Sequence, residues 1–141
     1  MAPDPAVLFY DRDCRFCAWG VVGIAARARP GTVRLATIQG PLGDEHLGHL
    51  PAEDRLASWH LWDGERLRSE ADVLDGLAPR VSAPWLRAVV AAGRTVPRPL
   101  AAAAYRQVAT HRVSLSRLIP AGAKRRAQEE LGRYLAERGA A

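Results

Sequence analysis

Residues 7–17, Val-Leu-Phe-Tyr-Asp-Arg-Asp-Cys-Arg-Phe-Cys, constrain this chain more than any other stretch. An apolar run of β-formers breaks into polar residues and then into a helical pattern of Trp19, Val21, Val22, Ile24, Ala25 and Ala26, closed by Pro30-Gly31. The reading is strand, turn, helix, with both cysteines of the chain in the helix's first turn. There several backbone N–H groups lack partners and the peptide dipoles leave partial positive charge, which favours a thiolate over a thiol. Cys14 is expected to have a lowered pKa and to act as nucleophile. One helical turn later, Cys17 can reach Cys14 to close a disulfide or resolve a mixed one.

The rest of the chain builds a fold around that junction. Strand one is expected over about 7–10, helix one over about 14–29 with Asp13 as its N-cap, and strand two over 32–38. This βαβ unit implies parallel pairing with a right-handed crossover. A short helix is expected over 42–50, and strand three over 56–62. Asp63-Gly64 signals a hairpin, and strand four follows over 65–68. Ser69 and Asp72 have the form of a capping box for a helix carrying Val73, Leu74 and Leu77. The order β-α-β-α-β-β-α is the thioredoxin arrangement. Beyond Pro79, prolines at 84, 97, 99 and 120 mark the starts of helices over about 84–93, 98–111 and 121–138. The expected class is α/β, a thioredoxin-like core over about 7–78 with a helical C-terminal extension over about 79–138. The 141 residues form a single domain, preceded by a poorly ordered lead over 1–6.

Composition narrows the function classes. The chain has no run of about 18 apolar residues, so no membrane-spanning helix is expected, and Met1 to Pro5 lacks the pattern of a signal peptide. The expected location is the cytoplasm, where a Cys-x-x-Cys is catalytic or metal-binding more often than structural. The net charge of +5 suggests nucleic acid, but 19 of the 20 basic residues are Arg. Together with abundant Ala and Gly, this reads as the codon bias of a GC-rich bacterial genome. The charge is also uneven: residues 1–79 hold 8 Arg against 12 acidic residues, and residues 80–141 hold 12 basic against 3 acidic. Solvated helix faces account for the basic half, and nucleic acid is not the expected partner.

The opening motif resembles the DCC family of predicted thiol-disulfide oxidoreductases, whose pattern is roughly Tyr-Asp-Gly-x-Cys-x-x-Cys. Here it reads Tyr10-Asp11-Arg12-Asp13-Cys14-Arg15-Phe16-Cys17. Further likeness lies in Arg68-Ser69 with Ala71 and Leu74, in Pro84-Trp85 and Pro97, and in Tyr105-Arg106, Val108-Ala109 and His111-Arg112, spanning about 7–120. The resemblance implies a thioredoxin-like fold and disulfide exchange through Cys14 and Cys17, with protein or small-molecule dithiols and disulfides as partners. No cofactor is implied, since the electrons come from another dithiol. Two departures stand out. Arg12 occupies the family's usual Gly, and no proline precedes strand three where thioredoxins place one facing the cysteines.

Around the pair, Asp11 and Asp13 oppose a thiolate while Arg12 and Arg15 favour it, and Phe16 lies between the cysteines. Asp11 could also accept a proton from Cys17. Tyr105 and Arg112 are read as ties between the helical tail and the sheet, with a place near the site as the second option. Trp19, Trp59, Trp62 and Trp85 are read as core or groove-wall residues. The alternative function is a basic binding module without catalysis, either a bare thioredoxin-like scaffold or one stabilised by zinc on Cys14, Cys17, His46 and His49.

Overall fold

A computed structural model describes residues 4–138. The sheet is built from β1 (Ala6–Tyr10), β2 (Val33–Thr37), β3 (His60–Trp62) and β4 (Leu67–Ser69), in the order β2-β1-β3-β4. β1 pairs parallel with β2, Leu8 opposite Leu35, and antiparallel with β3, Leu8 opposite Leu61. β3 and β4 pair antiparallel, His60 opposite Ser69. This is a thioredoxin-like α/β fold with a helical C-terminal part. All five residues of central β1 are buried, so its apolar run is continuous because both sheet faces are covered.

Strand alternation divides the core in two. Ala6, Leu8 and Tyr10 face α1 (Arg15–Arg27), with Val21 and Ala18, and α4 (Asp72–Leu77), with Val73 and Leu77. Val7 and Phe9 face α2 (Pro41–Leu47) through Leu42 and Leu47. The extension comprises α5 (Pro84–Gly93), α6 (Arg98–Thr110), α7 (Arg112–Ser116) and α8 (Ala121–Arg138). α8 returns to pack on α1, placing Leu131 in the same cluster as Leu8 and Val21. α5 to α7 and the turn after them pack less completely and leave Trp85, Val89, Leu100, Val113 and Leu118 exposed.

Several expectations need correction. Strand three does not begin at 56. Residues Ala52–Ala57 form a further helix, α3, and only His60–Trp62 pair as strand. Pro51 at its N-cap and Glu53 and Asp54 in its first turn are helix-start signals that outweigh the β-rich pattern. The Arg55 side chain also donates to the Gly48 and Leu50 carbonyls at 3.0 and 2.9 Å. The capping box does not form either. Ser69 belongs to β4, where its register opposite His60 commits its hydroxyl to His60 Nδ1 at 2.6 Å. Glu70 takes φ 54°, and α4 starts behind Ala71 without a side-chain cap.

The Asp63-Gly64 turn is present, with Gly64 at φ 98°, but as a four-residue loop. Asp63 Oδ1 accepts the N–H groups of Glu65 and Arg66. α7 was not anticipated, and Trp19 and Trp85 are exposed rather than core. Of the expected lead, residues 1–3 lie outside the described residues, while Ala6 already belongs to β1.

Candidate active site at the start of α1

The cysteines sit where β1 hands over to α1. The N-cap is Cys14, not Asp13: Cys14 has extended geometry (φ −98°, ψ 106°), and its Sγ accepts the Cys17 N–H at 3.3 Å. The chain turns into that position through Asp11. Its carbonyl accepts the Cys14 N–H, and its carboxylate accepts the Asp13 N–H at 3.0 Å. With its carboxylate turning the loop at Asp11, the cap falls one residue later, on a sulfur.

A second residue fixes the loop from the neighbouring strand. Gln39 Nε2 donates to Asp11 Oδ1 at 2.7 Å, and its Oε1 accepts the Arg12 N–H at 3.2 Å. Adjacent parallel strands end side by side, so the residues after β1 and after β2 meet at the sheet's C-terminal edge. That topology was the signal for Gln39. Arg12 does not adopt positive φ among the described residues. The side chain replacing the family's glycine therefore meets no left-handed strain, and it lies 3.8 Å from Asp13.

β3 runs antiparallel to β1, so its first residues also arrive at this edge. Trp59, immediately before β3, reaches the cysteines, and its side chain hydrogen-bonds Cys17. Its ring lies against Gly20 of α1, where a Cβ would meet the indole at 2.6 Å. Of the two places expected for it, core or groove wall, Trp59 takes the first, packed against the cluster on the α1 side of the sheet. Pro51 is distant in the chain, at the N-cap of α3. The extension fastens to the same segment: the Trp59 N–H donates to Tyr105 Oη at 3.2 Å, and Arg112 donates to the Leu56 carbonyl at 2.9 Å. Burial pushes the Tyr105 phenol pKa up. Arg112 also lines a cleft of about 400 Å³ beside Cys14, together with Arg15, Phe16 and Arg117. Tyr105 and Arg112 therefore tie the tail down, and Arg112 reaches the site as well.

The two sulfurs are electrostatically unlike. The Cys17 thiol hydrogen-bonds the Cys14 sulfur and, with the Cys17 backbone N–H and the Arg112 charge, outweighs burial and Asp11 to bring Cys14 down from 9.0 to about 6. Cys17 moves the other way: its bond to Cys14, its burial and the adjacent thiolate push its pKa far up. At neutral pH this is one thiolate held by one thiol. The sign is clear: Cys14 alkylation should rise with pH through a midpoint near 6. Cys17→Ala, which removes the thiol donor, should move that midpoint up towards the ordinary thiol range. An unchanged midpoint in the variant would refute the thiol–thiolate bond.

The zinc alternative is not supported by the geometry. His46 lies on the opposite sheet face, its ring 4.9 Å from Trp62 and 5.8 Å from Phe9, and His49 is exposed just beyond α2. Cys14 and Cys17 belong to the α1 side of the sheet. Among the described residues no three His, Cys, Asp or Glu side chains cluster to hold a metal ion.

A family model for DCC1-like thiol-disulfide oxidoreductases matches residues 8–118. The chain belongs to that family. Comparisons with curated proteins and with solved structures gave no match. The DCC1-like match covers the sheet except for the first two residues of β1, the cysteine loop and α5 to α7, and it stops before α8. Membership agrees with a redox role for a dithiol spaced as Cys-x-x-Cys and with dithiol or disulfide substrates. No helix among the described residues is long and apolar enough to cross a membrane.

Proposed function

We propose that this protein exchanges disulfides by attack of Cys14 and resolution by Cys17. The observation that carries this reading is the Cys14 sulfur at the N-cap of α1, accepting the Cys17 N–H at 3.3 Å with its pKa brought to about 6. Such a sulfur is about nine-tenths thiolate at pH 7, the form that attacks disulfides. Cys17, buried and protonated, is spared from competing attack and is one helical turn away from the mixed disulfide that it resolves.

Arg112 favours the thiolate by its charge, and Arg15 and Phe16 line the cleft beside the reacting sulfur, while Arg12 is turned to Asp13. Asp11 acts mainly as a positioning residue, since its carboxylate is engaged by Gln39 and the Asp13 N–H, and Asp13 is an exposed flank of the loop. The partners are dithiols and disulfides, not nucleic acid. The setting is a reducing compartment such as the cytoplasm, where a lone cysteine pair serves as a working dithiol.

Mixing the reduced protein with excess hydroxyethyl disulfide tests this directly. Both titratable thiols should disappear together, with one Cys14–Cys17 disulfide formed per chain. Loss of one thiol only, as a stable adduct, would refute the resolving role of Cys17.

A further inference from the structure

The cleft beside Cys14 carries an unbalanced set of charges. Arg15, Arg112 and Arg117 line it, opposed only by Asp11 and Asp13. Asp11 is already engaged by two N–H donors, and Asp13 faces Arg12. Among the described residues none of the three guanidiniums pairs with a carboxylate. Arg112 spends one N–H on the Leu56 carbonyl, and Arg15 and Arg117 are exposed. One charge of this set serves the thiolate; the others have no carboxylate partner among the described residues.

The shape of the opening bears on what can reach the sulfur. Val113 and Ser116 of α7 also line it, so Cys14 gives onto a shallow, half-open cleft of about 400 Å³. Pockets of about 300–1,000 Å³ suit small molecules. No proline-led edge precedes β3 for an extended peptide; Trp59 occupies that place and uses its N–H on Tyr105.

We propose that this cleft binds a low-molecular-weight disulfide carrying carboxylates, held by Arg15 and Arg117 with Arg112 beside the sulfur. The proposal rests on the exchange reading and names its substrate class. Guanidinium forks match carboxylates geometrically, and paired positive charge raises the local concentration of an anionic disulfide. The step balances. The Cys14 thiolate attacks one sulfur of R–S–S–R, forming Cys14–S–S–R and expelling one RS⁻. Cys17 then gives up its proton and attacks Cys14 Sγ, expelling the second RS⁻. The protein loses two electrons as its disulfide forms; the substrate gains them as two thiols, one of which takes the Cys17 proton.

The test compares oxidised glutathione (anionic), hydroxyethyl disulfide (neutral) and cystamine (cationic) at pH 7 and low ionic strength. Each rate of thiol loss is divided by that disulfide's rate with dithiothreitol, which removes intrinsic reactivity. The expected normalised order is anionic, then neutral, then cationic, with about a tenfold span that collapses in high salt. In the double variant Arg15→Gln, Arg117→Gln the ratio of anionic to neutral should fall about two- to threefold, towards one, and Arg→Lys at both positions should restore part of it. Equal normalised rates in the wild type, or a cationic preference, would overturn the anion site while leaving exchange intact. No reaction with any of the three disulfides would overturn exchange itself. The wild-type comparison decides the question even if the variants fold poorly.

Discussion

Replacing Cys14 by serine should reduce disulfide exchange to background, whereas replacing Cys17 by serine should leave attack intact and halt the reaction at a mixed disulfide. The difference follows from what each sulfur does in the fold. Cys14 caps α1 and carries the negative charge, and a serine hydroxyl at that position would cap well but stay protonated at neutral pH. Cys17 is the buried donor. A serine there can still donate to the Cys14 sulfur, so Cys14 should keep much of its lowered pKa while the second step has no nucleophile. Mass spectrometry of the Cys17→Ser protein after exposure to hydroxyethyl disulfide should show one adduct per chain, released by dithiothreitol. A Cys14→Ser protein retaining exchange, or a Cys17→Ser protein forming no adduct, would reverse or refute the assignment.

The second large effect concerns stability and lies outside the family-matched segment. Leu131 of α8 is 7% exposed and belongs to the cluster containing Leu8, Val21 and Leu61. Leu131→Ala should lower the free energy of unfolding by about 2–4 kcal/mol, the usual range for a buried leucine whose site collapses only in part. Urea denaturation followed by far-UV circular dichroism would measure it. A single shifted transition is expected if residues 79–138 form one folding unit with residues 7–78. A loss below about 0.5 kcal/mol, or two separate transitions, would mean that α8 is dispensable to the core.

Much of this was legible before any coordinates, for identifiable reasons. β1 and α1 announce themselves because an apolar run and a helical repeat abut a Cys-x-x-Cys, and each local preference agrees with its tertiary place. The helices after 84 and 121 were marked by prolines, whose lost N–H costs nothing at a helix start. α3 was misjudged because Leu56 to Trp62 contains enough β-formers to hide the short helix that Pro51 begins. Ser69 looked like a cap because its partner, the buried His60, is nine residues away and becomes its neighbour only through hairpin register. The same limit hid Gln39 and Arg117. Their importance comes from strand ends and helix packing that bring distant residues to one edge, and single-sequence spacing carries no such information.

The Arg112 contact ties the redox state to the placement of the extension. Its guanidinium favours the Cys14 thiolate from α7 while holding the Leu56 carbonyl ahead of β3. When Cys14 is oxidised that negative charge is gone, and α7 loses part of what draws it to the loop. Thermodynamic reciprocity then requires that whatever draws α7 away weakens the thiolate, by the same free energy that the thiolate contributes to docking α7. If Cys14 and Cys17 exchange disulfides as proposed, the seating of α7 and the charge on the reacting sulfur would favour one another.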